Sequence, residues 1–176
     1  MNDSKTTLIL VDEKDSPQGT GEKLLVHQKG LLHRAFSVFI LRKRSELEVL
    51  LQQRCDEKYH CGGLWANACC GHPQPFQKNK EAAEERLFYE IGVRCELSKA
   101  GIFHYYAEFD NHLIEHEIDH VFYGYWEGEP KLHPEEAKAY RWVKMSDLVK
   151  LLGQPDTGFA VWVKPALAVL KSHLME

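Results

Sequence analysis

The sequence predicts an α+β fold made as a single domain. Three observations point to it: short runs rich in β-branched and aromatic residues between turn signals, an amphipathic stretch with helix-end residues around Asn79–Ile91, and helical segments that do not alternate strictly with strands. A chain of 176 residues suits one domain and can bury a real core. No internal repeat, low-complexity tract or long Pro/Gly/Ser linker divides it. We expect an N-terminal extension over about residues 1–30, a core over about 31–145 and a C-terminal helical segment over about 146–176.

The first strand is expected at Thr7–Val11, ended by the turn-rich Asp15–Gly21. Arg34–Leu41 carries Val, Ile and Phe and reads as a stronger strand, with Glu48–Gln53 pairing to it after a turn at Arg42–Ser45. Cys55–Gln77 is dense in Gly, Cys, Pro and Trp and has no periodicity; loops this long inside compact domains are usually functional. A helix is expected from about Asn79 to Ile91, with Asn79 as its cap and Gly92 ending it in the left-handed conformation. Ala83, Leu87 and Ile91 recur at four-residue spacing and form its buried stripe. Strands follow at Gly101–Phe109, Glu115–Trp126 and Ala139–Val143. Ser146 caps a short helix to Leu152, and a longer helix from about Phe159 to His173 closes the fold.

Composition is that of a globular protein rather than a disordered one, with 44% hydrophobic and 27% charged residues. No apolar run approaches a membrane span. The start of the chain has only a short apolar stretch, Leu8–Val11, between acidic flanks, unlike a signal or transit peptide, so the cytoplasm is the expected compartment. A net charge of -4 argues against a general nucleic-acid binder but allows a local basic cluster to hold a small anion. Neither nucleic acid nor membrane is expected as a partner, and no feature indicates an oligomeric state. The five cysteines are odd in number, which predicts free thiols rather than a disulfide framework.

Three constellations carry chemistry. His27, His33, His72, Glu115 and Glu117 are metal-ligand types. On a strand, Glu115 and Glu117 point to one face, where two carboxylates repel unless a proton or cation joins them. Paired glutamates are also common on solvated strand faces. In the loop Leu64–Pro73, a thiol flanked by Gly71 and His72 could have a lowered pKa suited to proton transfer. An inert buried Cys, or a zinc site from Cys55, Cys61, Cys70 and His72, are the alternatives there. On the Asn79–Ile91 helix, Arg86 and Glu90 are four apart, the spacing of a surface ion pair worth a few tenths of a kcal/mol.

Taken together, these pieces resemble the type 1 isopentenyl diphosphate isomerases of the Nudix superfamily, over nearly the whole chain from Gly19–Lys23 to the terminal helix. Trp65–Ala66–Asn67–Ala68–Cys69–Cys70–Gly71–His72–Pro73 looks like the family's W-x-N-x-x-C-G-H-P signature, and Glu115–His116–Glu117 matches its E-x-E motif. The resemblance implies a Nudix-type mixed sheet sandwiched between helices. It implies double-bond isomerisation between isopentenyl and dimethylallyl diphosphate through a tertiary carbocation. By position, His27, His33, His72, Glu115 and Glu117 would hold the catalytic metal, as Mn2+, Mg2+ or Zn2+. Cys70 and Glu117 would be the proton-transferring pair, Tyr105 would assist protonation, and Trp162 would face the branched carbon. Lys23, Arg54, Lys58 and Arg86 would contact the diphosphate of a small allylic or homoallylic substrate, and Glu90 would help hold an accompanying Mg2+.

Departures from the superfamily pattern bear on the choice of activity. A hydrolytic Nudix helix resembles G-x5-E-x7-R-E-U-x-E-E-x-G-U, with several glutamates for the metal that activates water. Here Glu85 and Arg86 stand at its R-E positions, Tyr89 replaces the first of the E-E pair, and Glu90 remains. The alternative of a Nudix hydrolase acting on a diphosphate-linked substrate is disfavoured accordingly. The six-residue spacing from His27 to His33, against seven in some members, bears on the geometry of the first ligand.

Overall fold

A computed structural model describes residues 6–58 and 60–176; residues 1–5 of the expected N-terminal extension and Tyr59 of the long loop lie outside the described residues. The elements run β1 (Thr7–Val11), β2 (Pro17–Glu22), α1 (Lys23–Lys29), β3 (His33–Lys43), β4 (Leu47–Arg54), β5 (Trp65–Ala66), β6 (Cys69–Gly71), α2 (Asn79–Ile91), β7 (Ser98–Glu108), β8 (Ile114–Tyr125), β9 (Ala137–Lys144), α3 (Met145–Leu152) and α4 (Val163–Leu174).

Strand β3 organises the sheet. Along one edge it pairs in parallel with β8, from His33↔Glu117 to Leu41↔Tyr125. Along the other it meets β1, β6 and β4 in succession, all antiparallel. β7 extends the sheet beyond β8, and β9 extends it beyond β4. The mixed pairing explains why β3 reads as a continuous apolar run: both of its faces are covered. Phe36, Val38 and Ile40 point into one core with Leu50, Phe122 and the Ala82, Ala83, Leu87 and Ile91 stripe of α2. Phe39 and Leu41 point into the other, with Val49, Leu51, Val121, Leu148 and Leu152 of α3, and Val163, Leu167 and Leu170 of α4. Each large aliphatic side chain so buried contributes about 1.5–3 kcal/mol. The sheet is therefore a middle layer between helices, and no helix among the described residues is long and apolar enough to cross a membrane.

The differences from the sequence expectation have local causes. Asp15–Gly21 is not all turn: β2 begins at Pro17 and pairs with β1, but its residues are almost all exposed, so no apolar alternation announces it. Helix α1 is absent from the expectation because only Val26 and His27 of its seven residues are buried, too few to make a stripe. The Cys55–Gln77 segment contains the short strands β5 and β6. Asn79 is the first helical residue of α2 rather than its cap; Lys78 occupies the cap position without a side-chain bond. Gly92 does end that helix at φ 69°, its N–H donating to Phe88 O. A side chain at Gly92 would meet Lys131 Cβ at 2.8 Å. Ser146 does not cap α3; Lys144 holds that position, while Ser146 Oγ donates to Glu46. The terminal helix starts at Val163, not Phe159, because Gly158–Ala160 is bound to β5: Trp65 N–H donates to Gly158 O at 2.9 Å and Ala160 N–H to Trp65 O at 2.8 Å.

Candidate functional site

Helix α1, the start of β3, the exit of β6 and one face of β8 meet at a buried cluster. One ligand atom from each of His27, His33, His72, Glu115 and Glu117 lies within 4.8 Å of all the others. The six-residue spacing brings both His27 and His33 into it, their rings 4.9 Å apart. The pairing His33↔Glu117 sets one imidazole beside one carboxylate, and the two-residue repeat of β8 places Glu115 on the same face. His27 Nδ1 and His33 Nδ1 each lie 2.8 Å from a carbonyl oxygen, of Lys23 and Leu31. A carbonyl only accepts, so Nδ1 carries a proton and Nε2 is the atom that faces the carboxylates. His33 Nε2 and His72 Nε2 stand 3.4 and 3.1 Å from Glu117 Oε1.

The electrostatics of the cluster are those of a site completed by a cation. His33 Nε2 is buried without a hydrogen bond of good geometry. Burial pushes the His33 pKa down, but the close Glu117 carboxylate and the charge of Glu115 outweigh this and raise it. His72 falls well below the ordinary range through burial and the neighbouring His33. Burial pushes the Glu117 carboxyl up, yet hydrogen bonds with Glu115 and His33 hold it below the usual range. Three imidazole nitrogens and two carboxylates on one buried centre fit a divalent metal ion. No cysteine joins this group, so the alternative set of Cys55, Cys61, Cys70 and His72 is not assembled among the described residues.

Cys70 lies beside this cluster on β6. Alternation along that strand sends Cys69 into the α2 core, where it is 1% exposed, and turns Cys70 the other way. Gly71 faces Phe36, and a Cβ there would sit 2.8 Å from the Phe36 ring. The Cys70 sulfur is held by Asn67, whose Oδ1 accepts from it at 3.4 Å and whose Nδ2 lies 3.3 Å away. Ser37 Oγ lies 3.5 Å away on its other side and donates to Asp119 Oδ2 at 2.8 Å. The expected lowering of the Cys70 pKa is overturned: burial, then the Asp119 charge, push it up to about 12. The group at rest is therefore a thiol.

Tyr105 on β7 is paired directly with Glu117. Its hydroxyl is buried without a hydrogen bond, and burial with the charges of Glu115 and Glu117 raises its pKa. Trp162 precedes α4, is 6% exposed, and donates from Nε1 to Asn67 Oδ1 at 3.2 Å. Cys70, Tyr105 and Trp162 pack in one cluster and Glu117 lies across the strand pair from Tyr105, so a thiol, a phenol, an indole and a carboxylate are gathered in one region.

The four expected diphosphate contacts occupy three positions. Lys23 opens α1, and its charge lowers the pKa of His60 and His72. Arg54 donates to His60 O at 3.3 and 3.2 Å and stands 5.1 Å from the centre of the Trp162 ring. Lys58 and Arg86 converge on Glu136 Oε2. Glu90 is outside the His/Glu group: its Oε1 accepts from Arg86 Nε at 2.8 Å and its Oε2 from Gln52 at 2.7 Å. The Arg86–Glu90 pair is half-buried on one side and buried on the other, not a solvated surface pair.

Four residues of the site are absent from the sequence expectation. His60 Nε2 lies 3.2 Å from Glu115 Oε1 and its ring stacks on Phe109; its place in the same aperiodic loop as His72 is the signal that could have found it. Asp119 continues the Glu115–Glu117 face by one more strand repeat, a pattern readable from the sequence. Burial and Glu117 raise its pKa well above the carboxylate range. Asn67 is a fixed position of the Trp65–Pro73 signature although no role was expected of it, and Glu136 carries no such signal.

The mixed sheet between helices is the fold of a NUDIX domain. That domain family matches residues 31–163, and the chain belongs to it. The MutT protein from Methanosarcina mazei Go1 has the same fold, with a TM-score of 0.65 at 20% identity over 82% of this chain and 96% of that one. The Nudix hydrolase RenU from M. smegmatis gives 0.60 at 14% identity over 95% and 94%. Closer relatives narrow the family. Isopentenyl-diphosphate Delta-isomerase 2 of Aromatoleum aromaticum is 46% identical over 161 residues, covering 91% of this chain and 84% of that protein. Isopentenyl-diphosphate Delta-isomerase of Pectobacterium atrosepticum is 41% identical over 168 residues, covering 96% and 93%. The protein of the same name from Schizosaccharomyces pombe is 36% identical over 179 residues, covering 89% and 77%. The chain is a member of the isopentenyl-diphosphate Delta-isomerase family.

Proposed function

We propose that this chain interconverts isopentenyl diphosphate and dimethylallyl diphosphate, and that the residues above divide the work as follows. The observation that carries the reading is the hydrogen-bonded run Trp162–Asn67–Cys70. It fixes an indole and a protonated thiol in one frame, next to the strand pair Tyr105↔Glu117.

The reaction moves a double bond by adding a proton at one carbon and removing one from its neighbour. Cys70 and Glu117 are the two proton-transferring groups, one delivering and the other removing, and Tyr105 assists protonation. The intermediate is a tertiary carbocation, which the Trp162 face stabilises by about 2 kcal/mol or more when desolvated. Tyr105 and Trp162 are both buried, which keeps water from trapping the cation as an alcohol. Lys23, Arg54, Lys58 and Arg86 anchor the diphosphate, which does not react; arginine does so in bidentate fashion, lysine as a point charge.

His27, His33, His72, Glu115 and Glu117 would hold Mn2+, Mg2+ or Zn2+, which would supply the positive charge that lets two carboxylates share one face. Glu90 would hold the Mg2+ that accompanies the diphosphate. On α2 no other glutamate is buried, and Tyr89 stacks on His133 where a hydrolytic helix has a carboxylate. The charged, water-soluble substrate suits a cytoplasmic setting.

The test is product analysis in D2O with isopentenyl diphosphate and Mg2+. Carbon NMR should find deuterium in the allylic product and, on longer incubation, in the starting alkene, with no phosphate released. Phosphate release without deuterium at carbon would mean a hydrolase instead.

A further inference from the structure

Glu136 stands just before β9 and is 9% exposed. Its backbone is fixed on both sides: its N–H donates to His133 O, and its carbonyl accepts from Cys55 N–H. The carboxylate is placed against two cations from separate elements. Lys58 Nζ, from the loop after β4, and Arg86 Nη2, from α2, both reach the single oxygen Oε2, the latter at 2.8 Å. Burial pushes the Glu136 carboxyl up, but the bond from Lys58 and the charge of Arg86 prevail and keep it below the usual carboxylate range. On its other edge Arg86 is already bound to Glu90. Glu90 is in turn fixed by Gln52, whose amide also donates to Ala68 O at 2.6 Å.

The arrangement is neutral by count: two cations, Lys58 and Arg86, and two carboxylates, Glu90 and Glu136. A bare diphosphate entering between them would compete with Glu136 for the same N–H donors. It would also bring several negative charges against two carboxylates, and like charges at such distances repel strongly in a partly buried site. A diphosphate already carrying a divalent cation removes both objections, since the cation can face the carboxylate oxygens.

We propose that Glu136 is a specificity-determining residue of the diphosphate subsite: it occupies the Lys58 and Arg86 donors in the free protein and so admits the diphosphate only as its complex with a divalent cation. This rests on the reading above that Lys58 and Arg86 bind the diphosphate. Glu136 touches no reacting carbon, and its role is to set what may bind.

Inorganic pyrophosphate is the probe, and its dissociation constant is measured by calorimetry on the full chain with and without added Mg2+. In the parent protein Mg2+ should tighten binding by about tenfold or more. Glu136→Gln should tighten the Mg2+-free binding by about tenfold and shrink the Mg2+ effect, because a neutral amide no longer repels the bare anion. Glu136→Asp keeps the charge and should keep the parental Mg2+ dependence, and circular dichroism on both variants checks that they fold. Equal weakening by Glu136→Gln with and without Mg2+ would overturn the proposal and leave Glu136 as a mere support for the two cations. Arg86→Ala separates the two readings. If it binds pyrophosphate as well as the parent does, the diphosphate assignment itself fails and this proposal falls with it. If it binds more weakly, only the Glu136 variants decide.

Discussion

The indole N–H of Trp162 and the thiol of Cys70 converge on one acceptor, Oδ1 of Asn67, at 3.2 and 3.4 Å. Asn67 is fully buried and also donates to Val38 O and Cys69 O, so this joint is anchored in the β3–β6 pair. The indole is thus aimed as well as packed. Trp162→Phe keeps an aromatic face but loses the bond, whereas Trp162→Ala loses both. Turnover of Trp162→Ala should fall by about thirtyfold or more, the rate equivalent of a desolvated cation–π contact, and Trp162→Phe should fall less. Equal rates in the two variants would show that no cation is stabilised there.

Adjacent cysteines should separate cleanly. Cys70→Ala removes the proposed proton-transferring group, and steady-state turnover should drop by about a hundredfold to ten-thousandfold. Cys69 points into the α2 core, so Cys69→Ala should leave most of the activity and lower stability by roughly 1 kcal/mol through lost packing. Similar turnover in the two variants would remove Cys70 from the chemistry.

Removing metal should affect both activity and folding. Without a cation, Glu115 and Glu117 remain close on one strand face, and chelation should abolish turnover and lower the melting temperature. Adding back Mn2+, Mg2+ or Zn2+ at about a hundred times its dissociation constant should restore about 2.7 kcal/mol. His33→Asn should lose most of that ion-dependent shift in calorimetry. A melting temperature indifferent to the ion in the parent would sink the five-ligand centre.

Acid should weaken the chelated protein through its buried histidines. Burial lowers His60 to about 4 from an ordinary 6.5, so between these values the unfolded chain holds a proton that the folded one refuses. Stability is then fully present above about 6.5 and is lost as the pH falls toward 4. His72 and His120 act in the same direction, and His33 in the opposite one. His60→Phe keeps a ring against Phe109 and should show a smaller fall in melting temperature between about pH 7 and pH 4.5. An unchanged pH dependence would contradict the neutral, buried state of His60.

Legibility followed hydrophobic pattern and spacing. The α2 stripe, the two-faced run of β3 and the Gly92 stop are visible because each rests on the residues that form it. β2 and α1 are not, since one is exposed along its length and the other buries only Val26 and His27. The start of α4 was displaced by pairing of Gly158–Ala160 with β5, a contact between segments far apart in the chain. The same division runs through the site. Glu115, Glu117 and Asp119 share a face by strand geometry alone. Asn67 and Glu136 matter through partners such as Trp162, Lys58 and Arg86, and no local pattern announces such meetings. The Cys70 pKa went the opposite way from expectation because burial, which spacing does not reveal, and the Asp119 charge outweighed the hydrogen bonds of Ser37 and Asn67 and the charge of Arg54.

The parallel seam between β3 and β8 joins strands from the two halves of the chain, and its first rung is His33↔Glu117. Long-range parallel pairing is slow to form, because the loop between the strands must close before any contact rewards it. The two candidate ligands at the mouth of that seam can therefore share an ion only after the seam has closed. An ion bound there would act as a clasp across the end of that seam. Any ion held there would favour the closed seam over every open one, so the free-ion concentration would set how tightly the two halves of the chain are joined.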